Sequence, residues 1–170
     1  MTINRNLSLN ARQAIARLVR QRTMQAVRKA NNLQSQLVER DGGFFNNSPE
    51  IKARYRLEYI KNIQDNAYQL CVRGDENCSY RFYEVMSAGR IPVIIDTSMR
   101  LPNLSRMNWE DFCVIIPFHK IDEIGERITA FHNGISSADF DEICQISRPA
   151  FEDLSPKRFV PDTLKVYIDE

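Results

Sequence analysis

The sequence predicts an α/β fold built on a parallel sheet, and three features carry that expectation. Short, largely apolar runs recur at Ala67–Val72, Ile91–Ile95 and Phe112–Ile116; runs of this kind fit strands covered on both faces. Longer segments with apolar residues every three or four positions separate and flank them. Strands that alternate with helices at this spacing pair in parallel, because each return to the sheet needs a crossover.

The elements follow in order. Ile15, Leu18, Val19, Ala26 and Val27 keep a 3.6-residue period between Ser8 and about Ala30. Ser8 or Asn10 caps this helix, and the Asn31-Asn32 pair stops it. Ser35–Arg40 (SQLVER) reads as a short strand, closed by the turn-forming Asp41-Gly42-Gly43. Ser48 as cap and Pro49 at the first helical position open a second helix, which runs to about Gln64 with Tyr55, Tyr59, Ile60 and Ile63 on its apolar stripe. Pro92 belongs at the start of its strand, where a missing N–H does little harm. Pro117 stops the third strand. Ile121–His132 and Ala138–Ile146 read as helices, and Ser155-Pro156 opens a final one. There is no internal repeat.

The 170 residues suit one domain, with 43% hydrophobic and 26% charged side chains. A chain of this size buries roughly 70% of the surface its unfolded form exposes. No apolar run reaches the ~20 residues of a membrane-spanning helix. The opening MTINRNLSLNARQ lacks the apolar centre of a secretory signal. Cys71, Cys78, Cys113 and Cys144 form no CxxC pair, and no His stands at zinc spacing. Reduced thiols and a cytoplasmic setting are therefore expected, with no metal.

The net charge of +1 hides an asymmetry. Residues 1–40 carry Arg5, Arg12, Arg17, Arg20, Arg22, Arg28, Lys29 and Arg40 against Glu39 alone, and the rest of the chain is acidic. A basic arm on an acidic body fits nucleic acid or an anionic membrane surface. An arginine-rich solvated helix face is the simpler and preferred reading. No aromatic residue precedes Phe44, so the stacking groups of single-strand binders are missing and no nucleic acid is expected.

The chemistry concentrates between Cys71 and Thr97, in CVRGDENCSYRFYEVMSAGRIPVIIDT. A strand, a polar loop, a helix, a Gly break and a second strand follow one another. Arg73 leaves the carboxyl end of its strand, the edge at which open α/β sheets hold ligands, and its guanidinium suits bidentate contact with phosphate. The helix starting near Ser79 has first-turn N–H groups without internal partners, and its dipole adds positive potential there. A diphosphate suits such a site. Ser79 either caps the helix or donates its hydroxyl to the anion. Phe82, Val85, Met86 and Gly89 fall on the face expected against the sheet. Arg81 and Glu84, three apart, share the other side. Glu84 sits one turn, ~5.4 Å, from the helix start, a fitting place for a carboxylate to accept two hydrogen bonds from a ribose. The simpler alternative is an Arg81–Glu84 surface ion pair.

The same block, followed by Leu101-Pro102 and by NWEDFCVIIP at Asn108–Pro117, resembles the exostosin-like glycosyltransferases over about 85 residues, from Tyr68 to about Pro149. Val72 departs from the proline common at that point in the family. The resemblance implies an inverting enzyme of the GT-B architecture, of which this chain supplies the carboxyl-terminal, Rossmann-like, donor-binding half. It implies a nucleotide-sugar donor, commonly a UDP-sugar, a glycan acceptor, and no metal or other cofactor. By position Arg73 and Arg81 are donor-phosphate or motif-stabilising residues, Gly74, Ser79 and Tyr80 line the donor site, and Glu84 is the ribose-binding acid. The chain then divides into a basic helix at 1–34, the exostosin-like donor domain at 35–152 and a terminal helix at 153–170.

An inverting displacement needs a general base for the acceptor hydroxyl. In this architecture the base comes from across the cleft, and residues 1–66 offer no candidate. His119 and His132 flank a late helix and read as helix-end histidines. Asp139-Phe140-Asp141 imitates a metal-binding D-x-D, but surface charge is the better reading. A second chain or a homodimer is therefore the expected partner. The alternatives are a non-catalytic nucleotide-sugar-binding module, and an adaptor whose basic helix makes peripheral contact with a membrane.

Overall fold

The computed structural model describes residues 8–40, 47–102 and 108–155. Three parallel strands form the sheet: β1 (Tyr68–Cys71), β2 (Ile91–Asp96) and β3 (Val114–Pro117), side by side in that order. Leu70 pairs with Val93, which in turn pairs with Val114. The central strand is the most apolar run in the chain, and Ile91, Val93, Ile94 and Ile95 are all buried. Pro92 is its second residue. Pairing with β3 begins one residue later, at Val93, so the absent N–H falls outside that ladder.

Among the described residues five helices flank the sheet: α1 (Leu9–Lys29), α2 (Pro49–Asp65), α3 (Tyr80–Ser87), α4 (Ile124–Asn133) and α5 (Ser137–Asp153). In α1 the Ser8 hydroxyl accepts from the Ala11 N–H, and in α2 the Ser48 hydroxyl accepts from the Ile51 N–H behind Pro49. α3 and α5 pack on each other and on the sheet, with Phe82, Val85 and Met86 of α3 turned inward. α1, α4 and a 3-10 segment at Phe118–Glu123 pack together beside β3. Val19, Ala26 and Val27 of the basic helix belong to the same core as the strands, and its arginines lie on the remaining face. α2 buries only Ile63, and polar contacts hold most of it. Arg90 from the α3–β2 connection donates to the Ile63 and Gln64 carbonyls at 3.2 and 2.6 Å.

The α/β architecture with an open parallel sheet is the one expected. Several local expectations are not met. Ser35–Arg40 forms no strand. Leu33 and Leu37, four apart, pack on the core, while Gln36 accepts from Asn62 and Asn66 of α2. The segment pairs with no strand of the sheet, and Ser35, which would share a strand face with Leu33 and Leu37, is exposed. The third strand begins at Val114 instead of Phe112, because a 3-10 turn at Trp109–Asp111, closed by a reciprocal Asn108–Asp111 cap, uses the preceding residues. Residues 118–123 are 3-10, so α4 starts at Ile124. α5 does not end at Ile146. It passes through the exposed Pro149 to Asp153, because Ser147 and Ala150 are buried beyond that point. The helix expected from Ser155-Pro156 lies outside the described residues. Among those residues no helix is long and apolar enough to cross a membrane.

Candidate functional site

The loop from Arg73 to Ser79 leaves the carboxyl end of β1 and is tied at several points. Its Gly74 N–H donates to the Cys78 carbonyl at 2.9 Å. Arg73 turns back into the loop: Nε donates to the Gly74 carbonyl at 3.2 Å and Nη2 to the Asp75 carbonyl at 3.0 Å. The residue is 3% exposed, and its Nη1 is buried without a partner. Desolvation draws the guanidinium below its ordinary pKa, against the opposing pull of Glu76, Cys78 and Asp75. Arg73 thus organises the loop, and one buried donor is left over.

Two further ties come from distant parts of the chain. Asn77 donates to the Thr97 and Ser98 carbonyls at 3.1 and 3.0 Å and accepts from the Thr97 hydroxyl. This joins the loop to the turn that leaves β2, where Ser98 has φ 63° and the Asp96 carboxylate accepts from the Met99 N–H. α1 supplies the other tie. Arg12 pairs with Glu76, and Gln13 donates to Asp75 at 3.4 Å. Sequence reasoning missed Asn77 and Arg12, because neither partner is near in sequence. Asn77's place in a polar loop at a strand's carboxyl end was the available signal.

A groove of about 680 Å³ opens beside this loop. Gly74, Ser79, Tyr80 and Arg81 lie on its wall, together with the edge and one face of β1, Met24 and Val27 of α1, and Tyr59 and Asn62 of α2. Four of the six expected site residues are therefore gathered there. Arg73 and Glu84 are not among the wall residues. Ser79 occupies the N-cap position of α3 and is buried, yet its side chain makes no capping hydrogen bond, so the capping alternative is set aside. Tyr80 is 83% exposed at the groove's rim.

Arg81 reaches across to α2. Its Nη2 donates to Asn62 Oδ1 at 2.9 Å and to Gln69 Oε1 at 2.6 Å, its guanidinium lies 4.9 Å from the centre of the Tyr59 ring, and its Nε is buried without a partner. The Arg81–Glu84 ion pair allowed by their spacing does not form. Glu84 is solvent-exposed and instead accepts a hydrogen bond from the Tyr59 hydroxyl. Burial raises the Tyr59 pKa, and the hydrogen bond to Glu84 raises it further.

A second depression of about 880 Å³ adjoins the groove through Arg20, Met24, Val38, Arg40 and Arg81. Arg17, Arg20, Arg28, Arg40 and Arg81 line it, with Glu39 as its acid. Arg28 pairs with Glu39, and Arg40 with Glu58 at 3.2 Å. Arg20 has no such partner among the described residues. The combined surface suits an anion.

The acids on the groove wall, Asp75 and Glu76, are both engaged by α1. His132 pairs with the Tyr68 hydroxyl at 3.0 Å, and Asp139 forms a reciprocal cap with Ser136. Neither faces the groove wall. Among the described residues no three His, Cys, Asp or Glu side chains cluster as metal ligands would.

No solved structure matches the chain. The family model of the exostosin GT47 domain matches residues 1–131, so the likeness extends upstream of Tyr68 through both α1 and α2. An α/β chain with a groove along its first strand, matched over more than half its length, belongs to the exostosin family of glycosyltransferases.

Proposed function

We propose that this chain is the donor-binding half of an inverting, metal-independent GT-B glycosyltransferase, and that it takes a nucleotide-sugar, a UDP-sugar first, for transfer to a glycan acceptor. One observation supports this above the others. The Gly74–Ser79 loop and the first turn of α3 face a groove that runs along β1 and reaches its carboxyl end, the edge where open α/β sheets receive nucleotides. The diphosphate would lie against the free N–H groups of α3 and the uncommitted Ser79 hydroxyl. Arg81 Nε and Arg73 Nη1 are buried donors that lack acceptors. A leaving diphosphate would be stabilised there by fixed dipoles and cations, with no metal. Glu84, a turn further along, would receive the ribose hydroxyls.

The chemistry of transfer requires a base that the groove wall does not offer, since both of its carboxylates are occupied. In this reading the base arrives from a second domain or a second chain facing the groove, and the protein works in the cytoplasm or at a membrane surface.

Thermal melting with UDP and a panel of nucleotide-sugars tests the proposal. A ligand at ~100 times its dissociation constant should stabilise the fold by ~2.7 kcal/mol, a rise of several degrees for a chain of this size. Identical melting curves across the whole panel would sink the reading. Transfer or hydrolysis followed on any hit separates an enzyme from a binding module.

A further inference from the structure

Tyr59 stands on α2, twenty-five residues before Glu84, yet its hydroxyl donates to Glu84 Oε2. The two faces of this contact differ in exposure: the tyrosine lines the groove and the acid is open to solvent. An exposed glutamate ordinarily wanders among rotamers, and any ligand it holds must first fix it. Here the phenol fixes it in advance. A carboxylate has about four lone-pair sites, and Tyr59 occupies one, so Oε1 remains to accept from a ligand. The ring is itself held, because Arg81 lies over its face and is anchored in turn to Asn62 and Gln69.

We propose that Tyr59 is a positioning residue for the nucleoside end of the donor, acting through Glu84, with Arg81 setting the plane of its ring. This rests on the donor-site reading above and adds to it a residue from α2. The phenol is suited to the task because it stays protonated, and therefore a donor, across the physiological range. An exposed Glu84 held by nothing would pay the ordering cost on each binding event. A pre-ordered one does not, and preorganisation of this kind shows as affinity.

The test uses the full chain with three probes: UDP, uridine and inorganic pyrophosphate. Calorimetry is run on the parent, Tyr59→Phe, Glu84→Gln and the double variant. Tyr59→Phe keeps the ring under Arg81 and removes only the hydroxyl. It should weaken uridine and UDP by about three- to tenfold, the size of one lost hydrogen bond, and leave pyrophosphate unchanged. In the Glu84→Gln background the same change should weaken uridine by less than in the parent, because the carboxylate that Tyr59 positions is already gone. A merely structural tyrosine would weaken all three probes together, or add its loss to that of Glu84→Gln, and either result overturns the inference. If Glu84→Gln weakens uridine while Tyr59→Phe matches the parent, Tyr59 has no positioning role and the donor site stands. If Glu84→Gln itself leaves uridine affinity intact, the role of Glu84 and this inference fall together.

Discussion

Tyr59 of α2 donates its hydroxyl to Glu84 of α3, and its ring meets the Arg81 guanidinium. Two oppositely charged residues three apart on one helix are thereby each engaged by a neighbouring helix instead of by each other. Arg81 is left with neutral amide oxygens, those of Asn62 and Gln69. A polar seam therefore joins α2 to the sheet, where its single buried apolar residue, Ile63, could not hold it alone.

That seam gives Arg81 a structural role. Gln69 is 3% exposed, and its Oε1 loses its donor if Arg81 is removed. Arg81→Met should destabilise the fold by about 1–3 kcal/mol, the cost of a buried polar atom left unpaired. Urea unfolding measures it. Arg81→Lys should fare little better, since an ammonium is not a planar fork.

Asn77 is expected to govern the order of the Arg73–Ser79 loop. Asn77→Ala removes the link to Thr97 and Ser98 at a cost of about 1–2 kcal/mol. Hydrogen exchange at the Gly74 amide, which bonds within the same loop, should quicken while exchange in β2 stays slow.

Two glycines separate backbone need from site need. Gly89 ends α3 with φ 62°, and a Cβ there would stand 3.2 Å from the Cys144 carbonyl oxygen. Gly89→Ala should cost about 1–2 kcal/mol, the left-handed penalty for an L-residue. Gly74 has an ordinary φ, and a Cβ there meets only the Cys78 carbonyl at 3.9 Å. Gly74→Ala should leave the urea midpoint within about 0.5 kcal/mol of the parent and lower nucleotide affinity, because the methyl group enters a residue of the groove wall.

The cysteines give a chemical readout. Cys78 is exposed on the groove wall, whereas Cys71 and Cys113 are buried. Iodoacetamide near pH 8 should label Cys78 first, with Cys71 and Cys113 reached only on unfolding, and a ligand in the groove should protect Cys78. Desolvation pushes the Cys71 thiol up from an ordinary 9.0 to about 12. Between those values the unfolded chain binds fewer protons than the folded one, so stability falls as pH rises through that window. Denaturation midpoints above pH 9 should decline, and Cys71→Ala should lessen the slope.

What could be read in the sequence was what depends on neighbours in the chain. Ser8, Ser48 with Pro49, the apolar run of β2 and Gly89 each act within a few residues, and each does what its local chemistry dictates. SQLVER failed because alternation in so short a stretch does not specify a pairing partner. The helix expected over Ala138–Ile146 continues through Pro149 to Asp153, because the burial of Ala150 outweighs one missing helical hydrogen bond. At the candidate site the order loop, helix, Gly break was legible, and so were the four residues that share the groove. The turning of Arg73 into its own loop was not, nor was the Tyr59–Glu84 bond. Tyr59 was visible as part of an apolar stripe. Its hydroxyl, which a half-buried tyrosine must satisfy somewhere, was the overlooked part.

Gly125 of α4 faces the end of α1 so closely that a Cβ there would stand 2.9 Å from the Ala30 Cβ and 2.3 Å from Asn32 Oδ1. This seam fixes how the protein can be shortened. Trimming the arginine-rich start as a dispensable tail would strip away Val19, Ala26 and Val27 and leave Ile121, Ile124 and Ile128 facing water. A fragment beginning after residue 34 should precipitate or unfold, while one retaining Ser8 onward should stay monodisperse.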